Sequence, residues 1–304
     1  MPLTRHCQVF GLNTLEADIL ILCFGASAEA DIGRAFAKIN GYPDRYYVTP
    51  DLIKRLLGLS PELEEILDYL LSFGGALRAA QLITSGQGES RPAGDLEPIF
   101  LERRLTGYLM GSERLDMHNR RYIRETKENL PALFDASVRE RILLFSQRNR
   151  HARHTEMAYI YGPEGAGHES AAGLLAEDCS HGLIVLRTGE FLQLQPEWAR
   201  RMLKVCVRES RLLNRCLFIP DVESILESPL ASVLRGTLSD VAFDETYMPA
   251  IVLGGEGPLD AKQFSAAGDC FLIELRVPGV ERRTEIWREI LKEYDELDQG
   301  ITVE

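Results

Sequence analysis

Apolar residues in the first hundred positions recur at helical spacing within several short segments. Asn13 or Thr14 can cap the first of these segments, and Pro50 and Pro61 mark the starts of two others. The pattern predicts helices over about residues 12–24, 51–58 and 61–72, and a fourth short helix, or a helix that leads into a strand, over about 76–84.

Two strand-like runs at 80–83 and 98–101 flank residues 85–95, a stretch of Gly, Ser, Pro and charged residues without periodicity. Short helices followed by a two-stranded ribbon with a loose tip are the layout of a winged-helix domain. We therefore expect a small α+β, winged-helix-like domain over residues 1–110.

From residue 156 onward, continuous apolar runs alternate with helical patterns. Runs of this kind are typical of parallel strands that helices bury on both faces. The expected class is α/β, with a five-stranded parallel sheet within residues 156–304. Its strands are predicted at 157–161, 182–186, 216–219, 250–253 and 271–275, with helices at 170–177 and 196–213 among them.

Residues 111–155 are expected to form a helical connector between the two domains, and its end is rich in arginine. A solvated helix face explains such charge, and a docking surface for the acidic second half of the chain or for an acidic partner is the alternative. His151 and His154 are three residues apart, but no carboxylate or thiol completes a metal-binding set with them. We expect no metal site there.

The chain has 34 Lys and Arg against 46 Asp and Glu, a net charge of −12. Residues 1–150 carry −1 of this charge and residues 151–304 carry −11. Such a chain repels both nucleic acid and anionic lipid. Neither a nucleic acid nor a membrane is therefore expected as a partner.

Six cysteines lack any C-x-x-C spacing and lie mostly among apolar neighbours, which is typical of reduced core thiols. No apolar run is long enough for a transmembrane helix, and the first residues lack the pattern of a signal peptide. A cytoplasmic location is expected.

A glycine-rich segment follows the first predicted strand of the second domain and opens a helix. It reads Gly162-Pro163-Glu164-Gly165-Ala166-Gly167-His168-Glu169-Ser170. In that context a G-x-x-x-x-G-K-[ST] loop binds phosphate through backbone amides, with Lys on the phosphates and Ser or Thr on magnesium. Gly162 and Gly167 hold the frame, and Gly165 allows close backbone approach. A tight strand-to-helix connection without a ligand is the alternative interpretation.

Two replacements weaken this predicted site. His168 supplies little of the missing lysine's charge, and Glu169 repels phosphate if it faces the ligand, as does Glu164. A contact between unit charges near a protein surface is worth about 4 kcal/mol, so both changes lower the affinity strongly. We expect ATP or ADP to bind weakly, if at all, and Mg²⁺ not to bind. The candidate nucleotide-binding residues are Gly162, Pro163, Gly165, Gly167, His168, Glu169 and Ser170.

The second domain resembles an AAA+ ATPase over about residues 156–291. Its glycine-rich loop is similar to the family's Gly-Pro-x-Gly-x-Gly-Lys-Thr, and Leu217-Phe218-Ile219-Pro220-Asp221-Val222-Glu223-Ser224-Ile225 resembles the Walker B strand. In that register Pro220 replaces the Asp that coordinates magnesium, and Asp221 replaces the Glu that activates water. A shift by one residue makes Asp221 the metal residue, with Glu223 just beyond. The resemblance implies a P-loop sheet whose acidic pair is broken.

Other family positions are altered as well. The fourth strand ends in Gly254 and Gly255, where the family commonly has Asn. Pro258-Leu259-Asp260-Ala261 resembles the stretch before the family's arginine finger, but the expected place, 267–269, contains no arginine. Residues 277–287 resemble the family's proline-containing turn and the helix after it, whereas a helical lid is not recognisable.

Residues 10–23 and 107–111 resemble the opening helix and the closing segment of the variant winged-helix domain that precedes some bacterial AAA+ ATPases. Several such proteins carry two ATPase domains in tandem, of which the first is degenerate. The resemblance therefore implies that this chain is the N-terminal fragment of a longer, tandem ATPase.

Since four chemical positions are altered together, the resemblance implies a degenerate, non-hydrolysing AAA+ module that serves the assembly or regulation of an active ATPase domain. Its implied partners are other AAA+ domains in the same or neighbouring subunits, and a protein bound through the winged-helix domain.

Two alternatives stay open, so the sequence does not decide whether the chain is an enzyme. In the first, a divergent ATPase uses His168 for ATP, while Asp221 and Glu223 share a strand face and hold the metal. In the second, the winged helix binds nucleic acid, although residues 1–100 show no stripe of Lys and Arg.

Overall fold

The computed structural model describes residues 7–72, 74–85, 94–115, 119–126, 134–152, 154–244, 246, 248–258 and 270–292. The chain divides into two compact units. The first unit comprises residues 1–120 and 204–213, and the second comprises 121–203 and 214–304. Much of the expected connector therefore belongs to the second unit.

The helices of the first unit start where the sequence supplies capping groups. Asn13 and Glu16 form a capping box, in which each side chain accepts a hydrogen bond from the other residue's backbone amide. Thr49 caps a second helix in front of Pro50, and Pro61 opens a third. The helices are α1 (Thr14–Ala28), α2 (Ala30–Asn40), α3 (Pro50–Leu57), α4 (Pro61–Leu70), α5 (Ala76–Ala79) and α6 (Arg103–Leu109).

The predicted helices near 12–24, 51–58 and 61–72 are confirmed, whereas α2 was not predicted. For 76–84 the alternative of a helix that leads into a strand is confirmed: the helix ends at Ala79, where Gln81 follows with a positive φ of 55° and the chain leaves the helix. It continues into β1 (Ile83–Ser85), which pairs antiparallel with β2 (Ile99–Leu101). Most of the segment between these strands lies outside the described residues.

Residues 204–213 bring charge into the interior of the first unit. Arg208 is 1% exposed and Glu209 is completely buried, and their carboxylate-guanidinium hydrogen bond is 2.9 Å long. Arg104, also buried, donates to the other carboxylate oxygen of Glu209 at 3.1 Å. Arg208 donates further to the backbone oxygen of Gln81 at 2.8 Å. A buried carboxylate thus joins two buried cations.

The second unit contains a six-stranded sheet. Its strands are β3 (Ile123–Glu125), β4 (Met157–Tyr161), β5 (Gly182–Leu186), β6 (Arg215–Ile219), β7 (Ile251–Gly255) and β8 (Phe271–Glu274), in the spatial order β3-β5-β6-β7-β4-β8. The five predicted strands run parallel, and β3, from the expected connector, pairs antiparallel with β5 at one edge. The predicted α/β class with a parallel-dominated sheet is confirmed.

Helices alternate with these strands. They are α7 (Ala136–His151), α8 (His168–Asp178), α9 (Thr188–Phe191), α10 (Pro196–Leu213), α11 (Val222–Leu226), α12 (Ala231–Ala242) and α13 (Val280–Lys292). Phe145, Ala171 and Leu175 on the helices are fully buried with Ala158 and Val252 on the strands in one hydrophobic core. The helices predicted at 170–177 and 196–213 are confirmed. The expected absence of a lid concerns residues beyond Lys292, which lie outside the described residues.

The cysteines are free thiols. Cys23, Cys179, Cys206 and Cys216 are buried, as the apolar neighbours in the sequence predict, while Cys7 and Cys270 are partly exposed. Burial raises the pKa of Cys23 and of Cys206 to about 12, so both stay protonated at neutral pH.

Candidate functional site

The glycine-rich loop connects β4, an inner strand between β7 and β8, to the start of α8. The amide of Gly162 donates a 3.1 Å hydrogen bond to the carbonyl oxygen of Gly255, at the end of β7. A Cβ atom at Gly162 would lie 2.3 Å from the backbone oxygen of Leu275 on the other side. Glycine is therefore the residue that fits between these two neighbours.

The rest of the loop is shaped by two glycines with positive φ. Gly165 has a φ of 79°, and Gly167, the N-cap of α8, has a φ of 92°. Residues that carry a side chain rarely adopt this backbone conformation, so both positions favour glycine. Between them, the amide of Ala166 closes a turn on the carbonyl oxygen of Pro163 at 3.0 Å. The amides of the first turn of α8 have no acceptor within the helix, which makes this end suited to an anion.

His168 is the first residue of α8, at the position where the phosphate-binding pattern has lysine. Its Nε2 atom is buried and has no hydrogen-bond partner among the residues that the structure describes. The imidazole therefore has an unused nitrogen beside the loop.

Glu169 is bound to the edge strand rather than left free beside the loop. Arg124 on β3 forms an ion pair with its Oε2 atom, and the hydroxyl of Thr126 donates to Oε1 at 3.0 Å. Partial burial by itself raises the pKa of the Glu169 carboxyl, but these hydrogen bonds outweigh burial and hold the pKa below its ordinary value. Arg124 thus compensates the negative charge that the sequence placed opposite phosphate.

The chain bends sharply after β6. Thr188 donates to the carbonyl oxygen of Pro220 at 2.6 Å, and Asp221 follows with a positive φ of 51°. The Asp221 side chain caps α11 by accepting a 3.4 Å hydrogen bond from the amide of Ser224. The assumption that Asp221 and Glu223 share a face of a strand is therefore wrong, because the strand ends at Ile219 and both residues belong to a helix start.

Glu223 points toward β4 and β7. Its Oε1 atom accepts hydrogen bonds from the hydroxyl of Tyr159 at 2.8 Å and from the amides of Glu256 at 2.8 Å and Gly257 at 3.3 Å. Its Oε2 atom is buried without a hydrogen-bond partner in the described part of the chain. Burial and then the neighbouring carboxylate raise the pKa of Tyr159, so the hydroxyl stays protonated.

This arrangement explains the glycine at the end of β7. A Cβ atom at Gly255 would lie 2.2 Å from Oε1 of Glu223 and 2.2 Å from the hydroxyl of Tyr159. At Gly254 it would lie 2.8 Å from the ring of Phe218. A carboxylate and a phenol from other elements therefore occupy the space beside the glycine at this strand end.

The structure brings together the glycine-rich loop, Glu223 and Gly255, which the sequence had singled out, and it keeps Asp221 in a capping role. Sequence reasoning missed Tyr159, Arg124 and Thr126, since none of them belongs to the motifs. The expected place of an arginine finger, 267–269, lies outside the described residues.

The described residues lack two features. They contain no group of three or more His, Cys, Asp or Glu side chains that could hold a metal ion. No helix among them combines the length and the apolar character that crossing a bilayer requires.

Comparison with known proteins gives one family model and several structural neighbours. Residues 1–123 match the model described as "Winged helix domain, variant", which confirms the expected winged-helix domain at the N-terminus. The FIGL-1 AAA domain in complex with ADP matches 59% of this chain and 68% of its own length, with 14% identity and a TM-score of 0.46. A second structure of the FIGL-1 AAA domain matches 59% and 67%, with 13% identity and a TM-score of 0.48. No curated protein matches the sequence.

Proposed function

We propose that the second unit is a degenerate nucleotide-binding module of the AAA+ kind, which does not hydrolyse ATP and serves the assembly or regulation of an active ATPase domain. The observation that carries this proposal is the state of Glu223. Its Oε1 atom accepts three hydrogen bonds, from Tyr159 and from two backbone amides. Oε1 is thus occupied by hydrogen bonds of the fold and Oε2 is buried, so neither oxygen is placed to take a proton from an attacking water.

The phosphate end of the site supports the same proposal. The loop keeps the glycine conformations and the helix start that suit a phosphate. Glu169, however, stands where a metal-binding hydroxyl is needed, and Arg124 already binds it. Phosphoryl transfer depends on positioned cations, and here the cation of the loop is absent and a neighbouring cation is engaged. We therefore propose weak binding of ATP or ADP, independent of Mg²⁺.

Calorimetric titration of the whole chain with ATP and ADP, with and without Mg²⁺, tests this proposal. We expect little or no heat from the native chain and micromolar binding by the double variant His168→Lys/Glu169→Thr. Glu164→Thr is the control for charge alone, because it removes an exposed, phosphate-repelling carboxylate of the same loop without restoring the motif, and it should raise the affinity less than the double variant does. Glu169→Thr also frees Arg124 from its ion pair, and the freed guanidinium could bind phosphate by itself. A triple variant that adds Arg124→Gln removes this contribution and leaves that of the restored motif. Magnesium-dependent micromolar binding by the native chain would contradict the proposal.

A divergent ATPase is the second candidate, and the free Nε2 atom of His168 favours it. A protonated imidazole at that place would donate to a phosphate oxygen and supply part of the missing charge. Release of inorganic phosphate from ATP under single-turnover conditions decides between the candidates. If the chain is a divergent ATPase, the native chain releases phosphate, His168→Ala and Glu223→Gln abolish this release, and Glu164→Gln leaves it intact. If the chain is a degenerate module, the native chain releases no phosphate.

We propose two kinds of partner. Other AAA+ domains, in the same or a neighbouring subunit, would contact the second unit, and a protein rather than a nucleic acid would bind the first. Residues 1–100 carry 8 Lys and Arg against 13 Asp and Glu, which supports the second choice, because phosphate backbones need cationic surfaces. A labelled DNA duplex titrated with the chain at physiological salt should show no change in anisotropy; saturable binding would favour the nucleic-acid alternative.

A further inference from the structure

Helix α4 exposes a row of apolar side chains on the first unit. Leu63, Ile66 and Tyr69 are 41%, 45% and 65% exposed. They are three residues apart, so neighbouring members of the row contact one another along the helix surface. Leu67 and Leu70 anchor the same helix in the core and are at most 6% exposed. The exposed row is therefore not needed to hold α4 in place.

A second row on α4 is acidic. Glu62, Glu65 and Asp68 are exposed, and they follow the same three-residue spacing beside the apolar row. Among the described residues none of the three forms an ion pair, whereas Glu64 on the same helix lies 3.4 Å from Lys54. Glu62 lies in the first turn of α4, where the helix start favours negative charge. Glu65 and Asp68 repel each other one turn apart, and no cation of the described chain offsets this repulsion.

We propose that the face of α4 formed by Leu63, Ile66 and Tyr69 with Glu62, Glu65 and Asp68 docks a basic amphipathic helix of a partner protein. This inference rests on the proposed protein-binding role of the first unit and names its surface and the chemistry of its partner. A ridge of side chains spaced by three residues packs into the grooves of a facing helix. The carboxylates select Lys and Arg on the partner, and they repel a phosphate backbone.

The probe is a synthetic amphipathic peptide of about 18 residues, five helical turns, with Leu on one face and Lys on the other. A peptide of the same pattern with Glu in place of Lys is its partner control. Both carry a fluorophore, and the full chain is titrated into each while anisotropy is recorded. We expect the Leu/Lys peptide to bind at least about tenfold more tightly than the Leu/Glu peptide.

Variants of the full chain locate the binding. Ile66→Ser/Tyr69→Ser and Glu65→Lys/Asp68→Lys should each weaken binding of the Leu/Lys peptide by about tenfold or more. Leu143→Ser/Leu144→Ser on α7 is the matched control, since both leucines are exposed to a similar degree, 47% and 45%. It should leave the binding unchanged. All substituted side chains are exposed, so the thermal midpoints should stay close to that of the native chain.

Several outcomes overturn the proposal. Equal affinity for the two peptides, no binding of the Leu/Lys peptide, or binding that the α4 variants leave intact would each do so. Self-association that Ile66→Ser/Tyr69→Ser abolishes, without peptide binding, would assign the face to a second copy of the chain instead. These results are independent of the nucleotide titration, because α4 contains no residue of the glycine-rich loop.

Discussion

The hydroxyl of Tyr159 lies 2.8 Å from Oε1 of Glu223, so a side chain of β4 is hydrogen-bonded to the first turn of α11. The same hydroxyl is 2.6 Å from the carbonyl oxygen of Gly257, and its single proton therefore serves two acceptors. The pair fills the space beside Gly255, at the end of the sheet where the glycine-rich loop begins. Glu223, which the sequence pattern suggested as a metal-binding residue, thus contributes to the packing at this end of the sheet.

Gly255→Ala should destabilise the second unit by about 1–3 kcal/mol, because the added methyl group has to displace a buried hydrogen-bonded pair. The new Cβ atom would meet Glu223 and Tyr159 at 2.2 Å. Gly189→Ala is the control, since a Cβ atom there meets nothing within 4 Å. Urea denaturation of both variants measures the difference. Equal stability of the two variants would show that the pair moves aside at no cost.

Tyr159→Phe should cost about 1 kcal/mol at neutral pH, through the loss of the hydrogen bond to Glu223. It should also change the stability at high pH. The pKa of Tyr159 is raised in the folded state, so the native chain loses stability as the pH rises above the unfolded value of about 10. The phenylalanine variant lacks that titration and should lose less between pH 9 and 11, as urea midpoints would show. A parallel decline in both proteins would mean that Tyr159 does not contribute.

The strands and the glycine-rich loop could be predicted because their signals are local. Each inner strand is a continuous apolar run, and the loop carries glycines at positions that require positive φ. The short strand Ile123–Glu125 could not be predicted, since two of its three residues are charged. Its role depends on pairing with β5, which no local pattern records.

The side-chain contacts of the candidate site could not be predicted from the sequence either. Arg124 and Glu169 are 45 residues apart, and Tyr159 and Glu223 are 64 residues apart. Such pairs form only when the sheet brings distant segments together. The prediction that Asp221 and Glu223 share a strand face was wrong for a local reason. Asp221 adopts a positive φ directly after Pro220, and a helix starts there.

Glu169→Gln should lower stability at neutral pH by at most about 1 kcal/mol, because its ion pair with Arg124 is partly exposed to solvent. The pKa of Glu169 is depressed in the folded state. The stability it contributes is therefore present above the unfolded pKa of about 4.3 and is lost as the pH falls through the folded value. Between pH 5 and 3 the native chain should lose more stability than the variant in thermal denaturation. An identical acid profile would mean that the pair with Arg124 is absent in solution.

Glu209→Gln should strongly destabilise the first unit. Glu209 is completely buried, and its two carboxylate oxygens bind Arg104 at 3.1 Å and Arg208 at 2.9 Å. Without its charge, buried Arg104 loses its carboxylate partner and Arg208 keeps only the partly buried Glu102, and breaking a buried ion pair in this way costs up to about 3–5 kcal/mol. Asp31→Asn is the control, because its ion pair with Arg34 is exposed and should contribute little. Urea midpoints measure the loss of stability in both variants. An equal loss in Glu209→Gln and Asp31→Asn would mean that the missing charge is replaced by water or by a neighbouring carboxylate. Glu102, which lies 3.1 Å from Arg208, is such a carboxylate.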